Sequence, residues 1–297
     1  MDLGISSISR GDARYPTALA AIHDPPEQLW VKGDIDALQA PSVAIVGSRA
    51  ASPYALEVAR RLGADLARRN VTVVSGMARG VDSAAHVGAL DGGGATIAVF
   101  GCGVDVIYPP EHAELADRMC ERGALVSEFP PGMPPLSYNF PKRNRIISGL
   151  SLAVVVVEAA EGSGSLITAD FALEQGRAVL AVPGNILGGR NVGAHALLRD
   201  GATLVECADD ILEEMNLGIG DRGSAIGGRK ESNGTDPASQ DPVLRCMTLG
   251  EPYDLDELAN RSGMDRVRLL PRLLDLELGG ALRRVDGGRF VRFRGPC

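Results

Sequence analysis

With 297 residues, 45% apolar side chains and 37 glycines, the chain can bury a sizeable core and has room for more than one domain. A formal net charge of −8 excludes a protein that coats duplex DNA through bulk positive charge, but not one with a focused cationic cleft. The five cysteines (Cys102, Cys120, Cys207, Cys246 and Cys297) are scattered and never spaced Cys-x-x-Cys, which predicts a reduced, cytoplasmic setting without zinc or disulfide staples.

Met1 to Arg10 has no basic stretch followed by an apolar run, so no signal peptide is expected, and the apolar run 152–157 is too short to cross a bilayer. The lead-in, residues 1–41, carries Tyr15-Pro16 and Asp24-Pro25-Pro26 as extended turns, and its stretch 29–33 reads as an edge strand. From Ser42 onward, short apolar runs alternate with helical patterns. Strands are predicted at 43–47, 71–75, 96–100, 124–127, 153–157 and 178–182, each too apolar to have a solvated face. Helices are predicted from Pro53, with Leu56, Ala59, Leu62 and Leu66 at helical spacing, and then over 82–90, 110–122, 165–175 and 208–215. Such alternation implies right-handed crossovers and a doubly wound parallel α/β sheet across residues 42–215.

Residues 216–242 break the pattern with six glycines, and read as a flexible linker spanning roughly 30 Å as a random coil. Residues 243–297 resume order with short helices at 255–261 and 267–278. A hairpin follows, with strands 281–285 and 289–293 around Asp286-Gly287-Gly288. Helices followed by a small hairpin suggest a winged helix-turn-helix. The tail holds ten arginines against eight acidic residues, slightly positive where the whole chain is negative.

In an open parallel sheet, ligands bind beyond the carboxyl ends of the strands. Those ends carry Gly47-Ser48-Arg49, the loop from Ser75 to Gly80 with Arg79, Gly101-Cys102-Gly103, and Gly162-Ser163-Gly164-Ser165 with Thr168 one turn on. Glycines there let backbone amides approach a ligand, and helix N-termini attract anions. None is a dinucleotide fingerprint, no Walker lysine follows, and the four histidines form no metal pair, so no cofactor, metal or catalytic residue is expected. Asp82 and His86 read as a helix N-terminus and a packed histidine, and Glu158 as a structural partner for Arg143 or Arg145.

The strongest local charge is Phe140-Pro141-Lys142-Arg143-Asn144-Arg145, expected in a long loop beside the aromatic Tyr138. Cations for phosphates and rings for unstacked bases are what single-stranded nucleic acid requires. Lys142, Arg143 and Arg145, with Arg49, are expected to contact phosphates, arginine serving better than lysine, and replacing the three by Ala is expected to leave the fold intact.

Together these stretches resemble the DNA-processing protein A family (DprA, also called Smf). The resemblance rests on Val46 to Arg49, Ser75 to Asp82 with Ala85-His86, Gly101 to Asp105 with Tyr108-Pro109, and Ser127 to Pro130. It rests most specifically on Phe140 to Leu150, followed by Val157-Glu158-Ala159, Ser163 to Ala169 and Val182-Pro183-Gly184. The resemblance implies a Rossmann-like core that binds single-stranded DNA in a basic pocket, forms a homodimer and helps load a RecA-type recombinase in natural transformation or recombination. It implies no catalytic turnover. The sequence departs from the family pattern at His195, where asparagine is usual, and at Pro271, inside what should be a recognition helix. The rival expectation is an enzyme processing a nucleotide or phosphoribosyl substrate on a similar sheet; that would want a fuller glycine loop and a catalytic Glu.

Overall fold

Runs of valine, isoleucine and alanine become the parallel strands of one sheet, because such strands are buried on both faces and need no polar side. In the computed structural model the described residues are 4–215, 241–248, 251–278, 281–285 and 288–292. They divide into two units, one within Met1–Gly220 and one within Asp221–Cys297. In chain order the first unit begins with β1 (Ile5–Ser9), α1 (Thr17–Ala20), β2 (Gln28–Gly33), β3 (Ser42–Val46), α2 (Pro53–Arg68) and β4 (Thr72–Ser75). It continues with α3 (Val81–Asp91), β5 (Thr96–Phe100), α4 (Ala113–Cys120), β6 (Ala124–Ser127), α5 (Asn139–Leu150) and β7 (Ala153–Val156). It ends with α6 (Gly164–Glu174), β8 (Ala178–Ala181), α7 (Val192–Arg199), β9 (Thr203–Leu204) and α8 (Ala208–Glu214).

The nine strands run in the order β1-β2-β6-β5-β4-β3-β7-β8-β9. From β6 to β9 every pairing is parallel, whereas β1–β2 and β2–β6 are antiparallel. The parallel part starts at β3, winds outward to β6, then returns to β7 on the other side of β3. The crevice between β3 and β7 is therefore the topological switch point, where open sheets of this kind bind ligands. Alternation along β3 assigns its side chains to two layers. Val43 and Ile45 pack with Leu62 and Leu66 of α2 and Val81 and Ala85 of α3, while Ala44 and Val46 pack with Ile146 and Ile147 of α5 and Ala169 of α6. Among the described residues no helix is long and apolar enough to cross a membrane.

Several elements differ from the sequence expectation. The stretch at 29–33 lies inside the sheet, with β1 outside it; β1 reads Ile-Ser-Ser-Ile-Ser and lacks the apolar run that marks the buried strands. The segment after Pro183-Gly184 holds an additional helix and strand, α7 and β9, before α8. Most consequential, the cation cluster lies on α5 and not in a loop. Pro141 is only the third residue of that helix, where backbone N–H groups have no intrahelical partner, so proline there costs no hydrogen bond.

In the second unit, α9 (Pro242–Arg245) is capped by the Asp241 carboxylate, which accepts from the N–H groups of Val243 and Leu244. Asp241 and Pro242, assigned to the linker from sequence, thus open a helix; the rest of that expected linker lies outside the described residues. Next come β10 (Pro252–Tyr253), α10 (Leu255–Ser262), α11 (Arg266–Leu278), β11 (Leu282–Val285) and β12 (Arg289–Arg292). Asp254 and Glu257 form a capping box on α10. The strands make an antiparallel sheet in the order β10-β12-β11, closing over Leu258, Leu269, Leu273 and Phe290. This is a winged helix, and α11 continues through Pro271.

Candidate nucleic-acid interface

A cleft of about 450 Å³ opens at the switch point. Gly47, Ser48 and Arg49 from the end of β3 form one wall, Phe140, Arg143 and Asn144 from α5 the floor, and Ser163, Gly164, Ser165 and Thr168 at the start of α6 the other wall.

The floor is built around Arg143, which is 4% exposed. Its Nη1 donates to the carbonyl oxygens of Gly76, at 2.9 Å, and of Val99. Its Nε donates to Asn144 Oδ1 at 3.3 Å. Nη2 makes no hydrogen bond to the described residues and is not among the fully enclosed unpaired atoms, and Arg143 lines the cleft. Burial lowers the guanidinium's pKa to about 10, with the Asp82 charge opposing the shift, so it stays cationic at neutral pH. Burial raises the pKa of Asp82, and the Arg143 charge and the N–H groups of Ala78 and Gly76 restrain that rise. A buried cation with donors left over for a ligand is a ready-made anion site.

Phe140 belongs to the same floor. The guanidinium carbons of Arg49 and Arg143 are each 6.0 Å from its ring centroid, within cation–π range, and Tyr108 approaches at 5.5 Å. Tyr108, quoted from sequence only as part of a motif, is thus half of an aromatic pair. Arg79 lies nearby, ion-paired to Glu111 and sharing a smaller cavity with Arg49, Tyr108 and Phe140.

The glycines do a different job from the one read in the sequence. A Cβ on Gly76 would sit 2.6 Å from Arg143 Nη2, and one on Gly101 would sit 2.9 Å from the Phe140 ring. One on Gly47 would sit 2.7 Å from Val81. These three admit the protein's own side chains. At the open wall, Gly162 adopts φ +72°, and Gly164 has nothing within 4 Å of where its Cβ would be. Between Gly76 and Gly80, buried Met77 holds φ 58°, a strained value for a long side chain.

The first turn of α6 offers N–H groups to the cleft. Ser163 caps it, with Oγ 2.8 Å from Ser165 Oγ, and Asn144 Nδ2 donates to the Gly164 carbonyl at 3.1 Å, tying α5 to α6.

The cation cluster is split by the helix that carries it. Successive residues are about 100° apart around an α-helix, so Lys142, Arg143 and Arg145 diverge. Arg145 forks onto Glu128 at 2.9 and 2.7 Å and reaches Asp24 at 3.0 Å; its side chain is only 13% exposed. It lines a separate cavity of about 560 Å³ with Glu128 and Phe129. Lys142 lines that cavity too, with Nζ 5.7 Å from the ring centroid of the exposed Tyr138. Arg145 therefore has the form of a structural pin, not a free phosphate ligand. Glu158 pairs with neither arginine: its carboxylate accepts from Ser52 N at 3.1 Å and Ser52 Oγ at 2.6 Å, fixing the start of α2. His86 is fully buried, 2.6 Å from Thr96 Oγ1, and burial lowers its pKa to about 3, which keeps it neutral. His195 Nε2 lies 3.1 Å from the Gly184 carbonyl. Among the described residues no three His, Cys, Asp or Glu side chains could hold a metal ion.

Known proteins with similar sequences point one way. The family model described as DNA recombination-mediator protein A matches residues 6–216, and a second, the DprA winged helix domain, matches 229–288. Protein Smf of Escherichia coli is 45% identical over 95% of this chain and 76% of its own length. The DNA processing protein DprA of Streptococcus pneumoniae is 46% identical over 71% of this chain and 74% of its own. Its X-ray structure superposes with a TM-score of 0.68, covering 71% of this chain and 74% of that one. A structure of DNA processing protein A from Helicobacter pylori, described for its single-stranded DNA binding mode, is 29% identical with a TM-score of 0.64, covering 70% of this chain and 94% of that one. The chain belongs to the DNA recombination-mediator protein A family, known as DprA or Smf.

Proposed function

We propose that the cleft seats a segment of single-stranded DNA, and that the protein is a non-catalytic recombination mediator. In this reading it works in the cytoplasm as a homodimer, protects incoming strands and passes them to a RecA-type recombinase in natural transformation or related recombination. The observation that carries the reading is Arg143: a guanidinium 4% exposed, its Nη2 unpaired among the described residues, beside an aromatic ring at the sheet's switch point. Arg49 and Arg143 meet phosphate within the cleft, the N–H groups at Ser163 to Ser165 assist, and Lys142 continues the track toward Tyr138. Phe140 stacks a base, a contact worth about 1–3 kcal/mol. Gly47, Ser48, Asn144 and Thr168 shape the walls, Arg79 extends the basic surface past Tyr108, and Arg145 holds α5 in place. The family relationship supports the reading, since the H. pylori relative is described by single-stranded DNA binding. The enzyme alternative gains no base from Glu158, whose carboxylate is bonded to Ser52 and which does not line the cleft.

The test is titration of labelled oligo-dT beside a duplex of equal length. Three phosphate contacts give a slope of log K against log salt near roughly −2. Arg49→Ala should flatten that slope, and the duplex should bind more weakly. Equal affinity for the duplex, or an unchanged slope, overturns the reading.

A further inference from the structure

The cavity of about 560 Å³ beside Arg145 lies on the opposite flank of α5 from the cleft. At about 100° per residue, Phe140, Arg143, Asn144 and Ile147 share the cleft side of that helix, and Lys142 and Arg145 the other. Helix α6 joins the two sites. Its residues Gly164 and Thr168 line the cleft and Phe171 lines the cavity, all three on one stripe of the helix. Thr168 and Phe171 are only about 4.5 Å apart along its axis. The cavity walls are apolar, made by buried Ile22 and half-buried Phe129 and Phe171. Of the charges around them, Arg145 is already taken by Glu128 and Asp24. That leaves exposed Lys142, beside the Tyr138 ring, and exposed Glu174, which has no hydrogen bond or ion pair to the described residues.

We infer that this cavity seats a further nucleobase of the strand held in the cleft, and that it favours a base carrying an exocyclic amino group. The inference extends the single-strand reading above and rests on it. Phosphate is the wrong occupant, because the carboxylates of Asp24, Glu128 and Glu174 line the cavity against the two cations Lys142 and Arg145. A nucleobase is neutral and flat, and suits aromatic walls with a few polar groups for its edge. Lys142 follows Pro141, which lines the cleft, so it meets the backbone between the two sites. Glu174 then reads the base. Its carboxylate accepts from the N4 amino group of cytosine, whereas thymine presents the O4 carbonyl at the same position and is repelled.

The difference between cytosine and thymine supplies the test. The full chain is titrated with oligo-dC and oligo-dT of about 3 to 12 nucleotides. Once the strand is long enough to enter both sites, oligo-dC should bind about tenfold more tightly than oligo-dT. Glu174→Ala should abolish that preference. Phe171→Ala should weaken long oligo-dC about tenfold and leave unchanged the shortest oligonucleotide that binds, which fills the cleft alone. Because Glu174 is exposed, its variant tests the cavity even where Phe171→Ala fails to fold. Equal affinity for oligo-dC and oligo-dT at every length, or a preference that survives Glu174→Ala, refutes the cavity site while the cleft reading stands. So does a folded Phe171→Ala chain that weakens every length equally, or none. A native chain that binds neither oligonucleotide refutes both.

Discussion

Replacing Arg143 by Met removes a charge that the fold has built around. The carbonyl oxygens of Gly76 and Val99 lose their donor in a buried site, each costing about 1–3 kcal/mol. Asp82, 6% exposed, loses the cation that offsets its burial. The total should reach about 3–5 kcal/mol, a large share of a typical domain's stability of roughly 5–15 kcal/mol. The penalty should depend on pH in a set direction. Burial already raises the folded pKa of Asp82 above the unfolded 3.8, and loss of the cation raises it further. The folded state then binds the proton more tightly than the unfolded state, so the variant loses stability as pH rises above 3.8 toward the folded pKa and regains it on acidification. The gap between native and variant should therefore narrow as the pH falls toward 3.8. Adding Asp82→Asn removes the orphan charge but keeps an acceptor for the N–H groups of Gly76 and Ala78, and should restore about 1–3 kcal/mol. Urea unfolding followed by Trp30 fluorescence reads this unit alone, because the chain has one tryptophan and it lies in β2. A loss below about 1 kcal/mol in Arg143→Met, or no recovery in the double variant, would refute the reasoning.

Other perturbations separate the roles around the cleft. Arg49→Ala and Lys142→Ala should each reduce the salt slope of oligo-dT binding by about 0.7 with little change in melting temperature, measured by titration across salt and by thermal unfolding. Gly101→Ala pushes a methyl group to within 2.9 Å of the Phe140 ring, and should weaken oligo-dT binding while the circular dichroism spectrum is retained. Arg145→Met breaks the fork onto Glu128 and the contact with Asp24; it should cost about 1.5–3 kcal/mol in urea unfolding, with the salt slope unchanged. A chain ending at Met215 should bind oligo-dT within about threefold of full length, because every cleft residue precedes that point.

The sequence discloses the parallel strands well, since β3, β5, β6 and β7 are nearly all apolar and buried along their whole length, and a run such as Ala153 to Val157 admits few other readings. It discloses the glycine loops at the strand ends from the same pattern, whereas the switch point needs the strand order that only the fold supplies. It conceals α5, because three charges and a proline outweigh helical periodicity until Pro141 is known to sit in the first turn. It conceals the difference between Arg143 and Arg145, two residues apart in the chain. Their partners, Gly76 and Val99 for one and Asp24 and Glu128 for the other, come from separate strands and loops that only the fold assembles. For that reason the replacement of all three cations, expected from sequence to leave the fold intact, is predicted to cost stability. Glycine misleads in the opposite sense: Gly76 and Gly101 look like ligand loops but give room to Arg143 and Phe140.

The position of the strand can be read by photo-crosslinking the full chain to an oligonucleotide carrying 5-iodouracil, followed by mass spectrometry of the crosslinked peptides. A single strand seated at the switch point should crosslink to Phe140, with Tyr138 or Tyr108 as secondary sites, and Arg49→Ala should suppress the yield. Crosslinks confined to residues 241–292, or unaffected by Arg49→Ala, would contradict a strand seated in the cleft.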